Sequence, residues 1–255
     1  NDYVNCGNDA SLNVTDAITI ESWIYYQGGE LYPRIIEKYP APSIHIHTSN
    51  DLLGWHGIVG GSDRDFRFPY SVIPRNEWTH IAVTYDGSYI SSYINGELRY
   101  SEPQTGALTT TTAPLLIGNN SATDRTFDGE ISELRIWNDA RTPTEIRDNM
   151  CRSLIGDESG LVAYYRFDQS TGTLLPDWSS NSNNGTLQNT TNSDWTSSYA
   201  YNTWVGCEGT NFADNYNWSS GTAPNSITVN VGIPNYSGGN QPAINGDYTC
   251  NHLSI

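Results

Sequence analysis

The chain has 255 residues, with 12 Lys and Arg against 28 Asp and Glu, and a formal charge of −16. That balance repels phosphate backbones and anionic lipid headgroups, which argues against nucleic acid and membrane surfaces as partners. No apolar run approaches the roughly 20 residues that span a bilayer, and a hydrophobic fraction of 36% carrying 17 Tyr and 8 Trp suits pleated sheets better than helical bundles.

Asp2 to Cys6 reads as a first strand. Ile18, Ile20, Ser22 and Ile24 alternate with Thr19, Glu21, Trp23 and Tyr25, the pattern of a central strand covered on both sides. Glu21 is then partly buried and needs a partner such as an arginine. Arg34–Tyr39 and Ser43–Thr48 form a hairpin interrupted by Pro40 and Pro42, and Leu53–Val59 runs into the turn Gly60-Gly61. Glu77–Asp86 and Tyr89–Ile94 are separated by Gly87-Ser88, and Asn95-Gly96 turns the chain into Glu97–Ser101. Leu115–Gly118 is a short strand. Phe127 to Trp137 is a long one: Phe127, Gly129, Ile131, Glu133, Arg135 and Trp137 share one parity, and Asp128, Glu130, Ser132, Leu134 and Ile136 the other. Thr142-Pro143-Thr144-Glu145 is a capping box with proline at the first helical position, so one short helix runs from Pro143 to about Met150. Leu161–Phe167 returns to the sheet. Ser179–Asn202, poor in aliphatics, reads as loop and then linker.

Four cysteines stand at 6, 151, 207 and 250, with no C-x-x-C pair to suggest zinc or redox chemistry. The expected bridges are Cys207–Cys250, closing a loop worth roughly 3–4 kcal/mol, and Cys6–Cys151, tying the first strand to the helix end; the alternative is buried thiols. Six N-x-[ST] sequons begin at Asn13, Asn119, Asn184, Asn189, Asn217 and Asn235 and matter only in a glycosylating host.

The order F-x-G-x-I-x-E-x-R-I-W followed by N-x-x-R-T-x-x-E-I resembles the last strand and helix of bacterial laminin-G-like (pentraxin-like) modules of the concanavalin A-like lectin/glucanase superfamily. Asp2-Tyr3-Val4, Thr19–Trp23, Glu77–Asp86 and Gly160–Phe167 match further motifs in the right order. The resemblance implies an all-β fold: a two-sheet antiparallel jelly-roll sandwich with one short helix over residues 1–190. A linker at 191–203 is expected next. Residues 204–255 resemble the opening of a β-helix-like repeat of large secreted bacterial surface proteins, so the chain is expected to be a piece of a longer one.

The resemblance also carries site expectations. Asp177 to Gly185 is similar to the family turn that wraps a structural Ca²⁺, a hard ion that takes carboxylate, amide and carbonyl oxygens. Asp177 is the expected side-chain ligand, with carbonyls near Ser182 and Asn183 and approach from Asp2 or Glu130. Enzymes of the superfamily carry E-x-D-x-x-E on one strand, and Asp128, Glu130 and Glu133 reproduce the spacing; paired carboxylates serve glycoside hydrolysis, but here bracing is the expected role. His45 and His47 share one face of a strand with His56 nearby, a pair able to bind zinc but with no third ligand evident. Exposed aromatics and charges suited to sugar binding are Tyr32, Trp55, Arg64, Arg67 and Tyr70. The expected function is a non-catalytic, secreted or cell-surface adhesion or carbohydrate-binding module with calcium, its partner a polysaccharide or cell-surface glycan or protein. A glycoside hydrolase and a ligand-free spacer are the alternatives.

Overall fold

The computed structural model describes residues 1–29, 32–191, 194–196, 200–203, 218, 230–232 and 252–254. Alternating apolar residues between Tyr3 and Gln188 fold into two antiparallel sheets. The strands in chain order are β1 (Tyr3–Asn5), β2 (Ile18–Gly28), β3 (Arg34–Glu37), β4 (Ser43–His47), β5 (Leu52–Val59), β6 (Ser62–Val72) and β7 (Trp78–Tyr85). There follow β8 (Tyr89–Ile94), β9 (Glu97–Pro103), β10 (Leu116–Ile117), β11 (Asp128–Trp137), helix α1 (Pro143–Met150), β12 (Leu161–Tyr165), β13 (Leu174–Leu175) and β14 (Gly185–Gln188). One sheet has the order β13-β14-β1-β10-β3-β4-β5-β6, the other β12-β11-β2-β7-β8-β9. Their inner faces meet in one apolar cluster. Ile44, Ile46, Leu53, Trp55 and Phe68 come from the first sheet, and Ile20, Ile24, Ile81, Val83, Leu134 and Ile136 from the second. Each such side chain stabilises the fold by about 1.5–3 kcal/mol on burial.

The long strand β11 departs from simple alternation. Ser132 lies opposite Trp23 and Arg135 opposite Glu21, so Glu133 and Leu134 together face the single residue Ser22. Glu133 takes φ 54°, and this bulge switches the parity of the strand. Ile131 therefore packs on the same core as Leu134 and Ile136. Ser22 Oγ donates to the Ser132 carbonyl at 3.0 Å, satisfying an oxygen beside the bulge.

The bulge also sends Glu133 and Arg135 to the outer face, where α1 covers them. Thr142 and Glu145 form the expected capping box. At the other helix end the Arg135 guanidinium donates to the carbonyl of Asn149 at 2.9 Å and to that of Arg152. A buried cation thus meets the negative end of the helix. The same guanidinium lies 2.7 Å from Glu133 Oε2 and 3.6 Å from Glu21 Oε1. Glu21 in turn accepts from Trp137 Nε1 at 3.0 Å. Burial pushes the Glu21 carboxyl up, and Arg135 and Trp137 oppose it. Burial alone would lower Arg135, but Glu133, Tyr164 and Glu21 override it and raise it above its ordinary value.

Three expectations change on this frame. Ser62–Val72 is a full edge strand, and Gly185–Gln188 pairs with β1 rather than lying in a loop. Pro69 and exposed charges on β6 suit an edge that must not pair further. Cys6 and Cys151 do not bridge. Cys6 lies in the core between the sheets, and burial pushes its thiol up to about 12. Cys151 packs with Trp23 and Met150 on the far side of the six-stranded sheet. Cys207 and Cys250 lie outside the described residues. Beyond the sandwich, Asn202–Thr203, Asn230–Gly232 and His252–Ser254 pair in parallel as a small third sheet.

Replacing Arg135 with Met removes the cation and leaves Glu21 and Glu133 buried. The expected loss is about 3–5 kcal/mol of unfolding free energy in urea. A loss below about 1 kcal/mol would mean that the network is solvated.

Candidate functional site

With α1 covering the six-stranded sheet, the outer face of the eight-stranded sheet offers the larger concentration of chemical groups. Ile44, Ile46, Leu53, Trp55, Phe66 and Phe68 point inward. Strand alternation therefore points His45, His47, Gly54, His56, Asp65 and Arg67 outward. Register aligns Arg34, His45, Gly54 and Arg67 in one row across β3, β4, β5 and β6.

In that row the two imidazoles converge. His45 Nε2 and His47 Nε2 are 2.9 Å apart. Asp65 Oδ1 reaches over from β6 to lie 3.4 Å from the first and 3.7 Å from the second. Gly54 lies beneath them, and a Cβ there would stand 2.5 Å from His45 Nε2 and 2.8 Å from the His47 ring. Tyr32 packs edge-on against His47 with ring centres 5.0 Å apart. Burial lowers His45, against the pull of Asp65. Burial and His45 push His47 down to about 4. The hydrogen bond from His45 holds Asp65 below the usual carboxylate range. Both rings are thus neutral near pH 7, with one carboxylate beside them.

A ledge adjoins this cluster. Tyr39, 41% exposed, stacks on His56 with ring centres 4.9 Å apart and an interplanar angle of 28°. His56 Nε2 lies 3.0 Å from Asp63 Oδ1. An exposed ring beside a hydrogen-bonded His–Asp pair can stack on a sugar face and fix its hydroxyls.

The residues expected to contact sugar divide. Tyr32 and Arg67 border the cluster, Arg67 at 3.9 Å from Asp65 and Tyr32 beneath the Arg125 guanidinium. Trp55 is 1% exposed and fills the core, so it is unavailable to a ligand. Arg64 has the parity of Phe66 and Phe68, away from His45 and His47. Tyr70 leans on Tyr100 of β9, on the other sheet. Asp65, Gly54, Tyr39 and Asp63 are additions that only the register supplies.

The acids of β11 do not form a catalytic pair. Glu133 is buried and engaged by Arg135 and Tyr164. Glu130 accepts from Thr196 at 2.9 Å, and Asp128 is exposed at the strand start.

The residues expected to hold calcium do not fit a cation. Asp177 Oδ1 accepts from the backbone N–H of Tyr164 at 2.8 Å and of Ser179 at 2.9 Å. Its Oδ2 accepts from Ser179 Oγ at 2.9 Å and from the Asn183 N–H at 2.7 Å. Those four donors occupy the roughly four lone-pair sites of a carboxylate. The Asn183 carbonyl accepts from Tyr165 at 2.7 Å, and that of Ser182 from the Asn184 N–H at 2.8 Å. Asp2 is exposed beside the chain start on β1's sheet, and Glu130 belongs to the other sheet. The loop is closed by Asp177 itself. Asp177→Ala should therefore cost about 2–4 kcal/mol, while the melting temperature of chelator-stripped wild type should be unchanged on adding calcium. A rise on adding calcium that Asp177→Ala abolishes would contradict this.

The family model described as Concanavalin A-like lectin/glucanases superfamily (Laminin_G_3) matches residues 1–147. Mouse (Mus musculus) pappalysin-1 is similar at 29% identity over 157 residues, covering 53% of this chain and 10% of that protein. Human pappalysin-1 is 27% identical with the same coverage. The chain thus spans about a tenth of the length of the curated relatives it matches. A solved structure of a candidate carbohydrate binding protein from Bacteroides ovatus is similar at 22% identity with a TM-score of 0.63, covering 74% of this chain and 56% of that one.

Proposed function

This chain belongs to the concanavalin A-like lectin/glucanases superfamily, and from that membership we propose that it is a non-catalytic carbohydrate-binding module of a secreted or cell-surface protein. Its glycan lies on the outer face of the eight-stranded sheet. The observation that carries the reading is the ledge of Tyr39, His56 and Asp63. A pyranose face stacks on Tyr39, and the Asp63–His56 pair accepts and donates to its hydroxyls. Arg67 and Tyr32 flank the same surface.

Two further features support a binding role over a hydrolytic one. Hydrolysis requires two carboxyl groups facing each other across a sugar bond. Glu133, the acid that the bulge repositions, accepts from Arg135 and Tyr164 at Oε2 and from Ser153 at Oε1. The net charge of −16 favours neutral glycans over sulfated or uronic ones.

A glycan array followed by titration of the retained sugar tests the proposal. Tyr39→Ala should weaken binding about tenfold, equivalent to ~1.4 kcal/mol, without changing the melting temperature. The same sugars should yield no new reducing ends. Absence of binding to every neutral glycan would favour a spacer role. Release of reducing sugar that Glu130→Gln abolishes would favour a hydrolase.

A further inference from the structure

We propose that His45, His47 and Asp65 form a binding site for a first-row divalent metal ion, zinc foremost, on the outer face of the eight-stranded sheet. It stands independently of the glycan reading, which uses Tyr39, His56 and Asp63.

The argument begins with three distances. His45 Nε2, His47 Nε2 and Asp65 Oδ1 form a triangle with sides of 2.9, 3.4 and 3.7 Å. The point equidistant from all three atoms, found from the product of the sides over four times the area, is about 1.95 Å from each, against zinc bond lengths of about 2.0–2.2 Å. An ion at about 2.0–2.1 Å sits roughly 0.4–0.8 Å off the plane of the three atoms, near the third of a bond length that a tetrahedron requires. Among the described residues this is the one cluster of three or more such side chains whose ligand atoms converge.

Sequence and packing make room for the ion. Gly54 is the residue below the converging atoms, and any side chain there would displace both rings, since even a Cβ falls within 2.8 Å of each. The ligands come from β4 and β6, either side of β5, so the ladder fixes their separation. Arg67 lies toward Asp65 Oδ2, on the far side of the carboxylate from the shared oxygen Oδ1. The nearby cation Arg34 is paired with Glu37 at 3.0 Å.

The donor set selects the metal. Two imidazole nitrogens and one carboxylate oxygen suit zinc, iron, cobalt, nickel or copper, whereas calcium and magnesium want oxygen throughout. Three protein ligands leave a fourth position of a tetrahedral ion to water or to an oxygen of a bound molecule. His45 Nδ1 is buried with no acceptor, so the carboxylate or carbonyl that usually steadies a zinc-bound imidazole is missing there. The affinity is therefore expected to fall about 10–100-fold below that of a fully supported site.

The test uses tag-free protein stripped with a chelator and then titrated with zinc chloride by calorimetry and with cobalt chloride by visible absorption. The expected result is one zinc per chain and the intense bands of four-coordinate cobalt. Asp65→Asn, an exposed change that leaves the sheet intact, should weaken cobalt binding and shift the bands. His47→Gln, checked for retained β structure by circular dichroism, should abolish them. Calcium should not compete. Failure of the wild type to bind zinc or cobalt, or binding that survives both substitutions unchanged, would overturn the proposal. The glycan reading would be untouched by either result.

Discussion

The architecture depends on one buried cation. Arg135 reaches from β11 to the last carbonyls of α1, to Glu133 beside it and toward Glu21 on β2. A guanidinium taken out of water is costly unless every donor finds an acceptor and its charge is met. Here two carboxylates and two carbonyls meet its two terminal nitrogens, while Nε is buried without an acceptor, and the helix end comes to rest against the sheet. The bulge at Glu133 makes this possible, because in an unbroken strand Glu133 and Arg135 would share the inward parity of Ile131. The consequence is positional. The helix end occupies part of the outer face of the six-stranded sheet, around Glu133 and Arg135, while His45, His47 and Asp65 converge on the outer face of the other sheet.

That division explains why the acids of β11 brace rather than cut. Their spacing alone is compatible with either role. For Glu133 the surroundings assign bracing, since its carboxylate is bonded to an arginine and a tyrosine in a dry interior, which leaves Asp128 and Glu130 without it as a facing partner. The same reasoning applies to Asp177, which organises its loop by accepting from four donors. In both places a residue type associated with chemistry is spent on structure. On the eight-stranded sheet the reverse holds. There two buried imidazoles, an aromatic ledge and two carboxylates are grouped on one outward face, the carboxylates paired with histidines rather than with the core.

Much of this was legible in the residues. The capping box at Thr142–Glu145 placed α1 to the residue, because its signals are local. The alternation in β2, β7 and β8 and the turns at Gly87 and Asn95-Gly96 placed those strands for the same reason. Glu21 needed a partner, and Arg135 is it. The bulge was hidden because a period of two looks unbroken when the inserted residue is itself polar. Ser62–Val72 was missed although Asp65-Phe66-Arg67-Phe68 alternates, since its outward residues are charged and Pro69 interrupts it. Trp55 was misassigned although it shares parity with core residue Leu53. Asp65 was beyond reach: its place beside His45 and His47 follows from the register of three strands, which no local signal encodes.

The central claim is that the outer face of the eight-stranded sheet carries this protein's binding chemistry. Amide chemical-shift mapping of isotopically labelled protein during a zinc titration tests it most directly. The account predicts shifts centred on His45, His47, Gly54 and Asp65, with the amides of Glu21, Glu133 and Arg135 and of the loop 177–184 unmoved. Shifts centred on that loop or on β11 would contradict it, as would the absence of shifts on this face with both zinc and the sugar retained by the array.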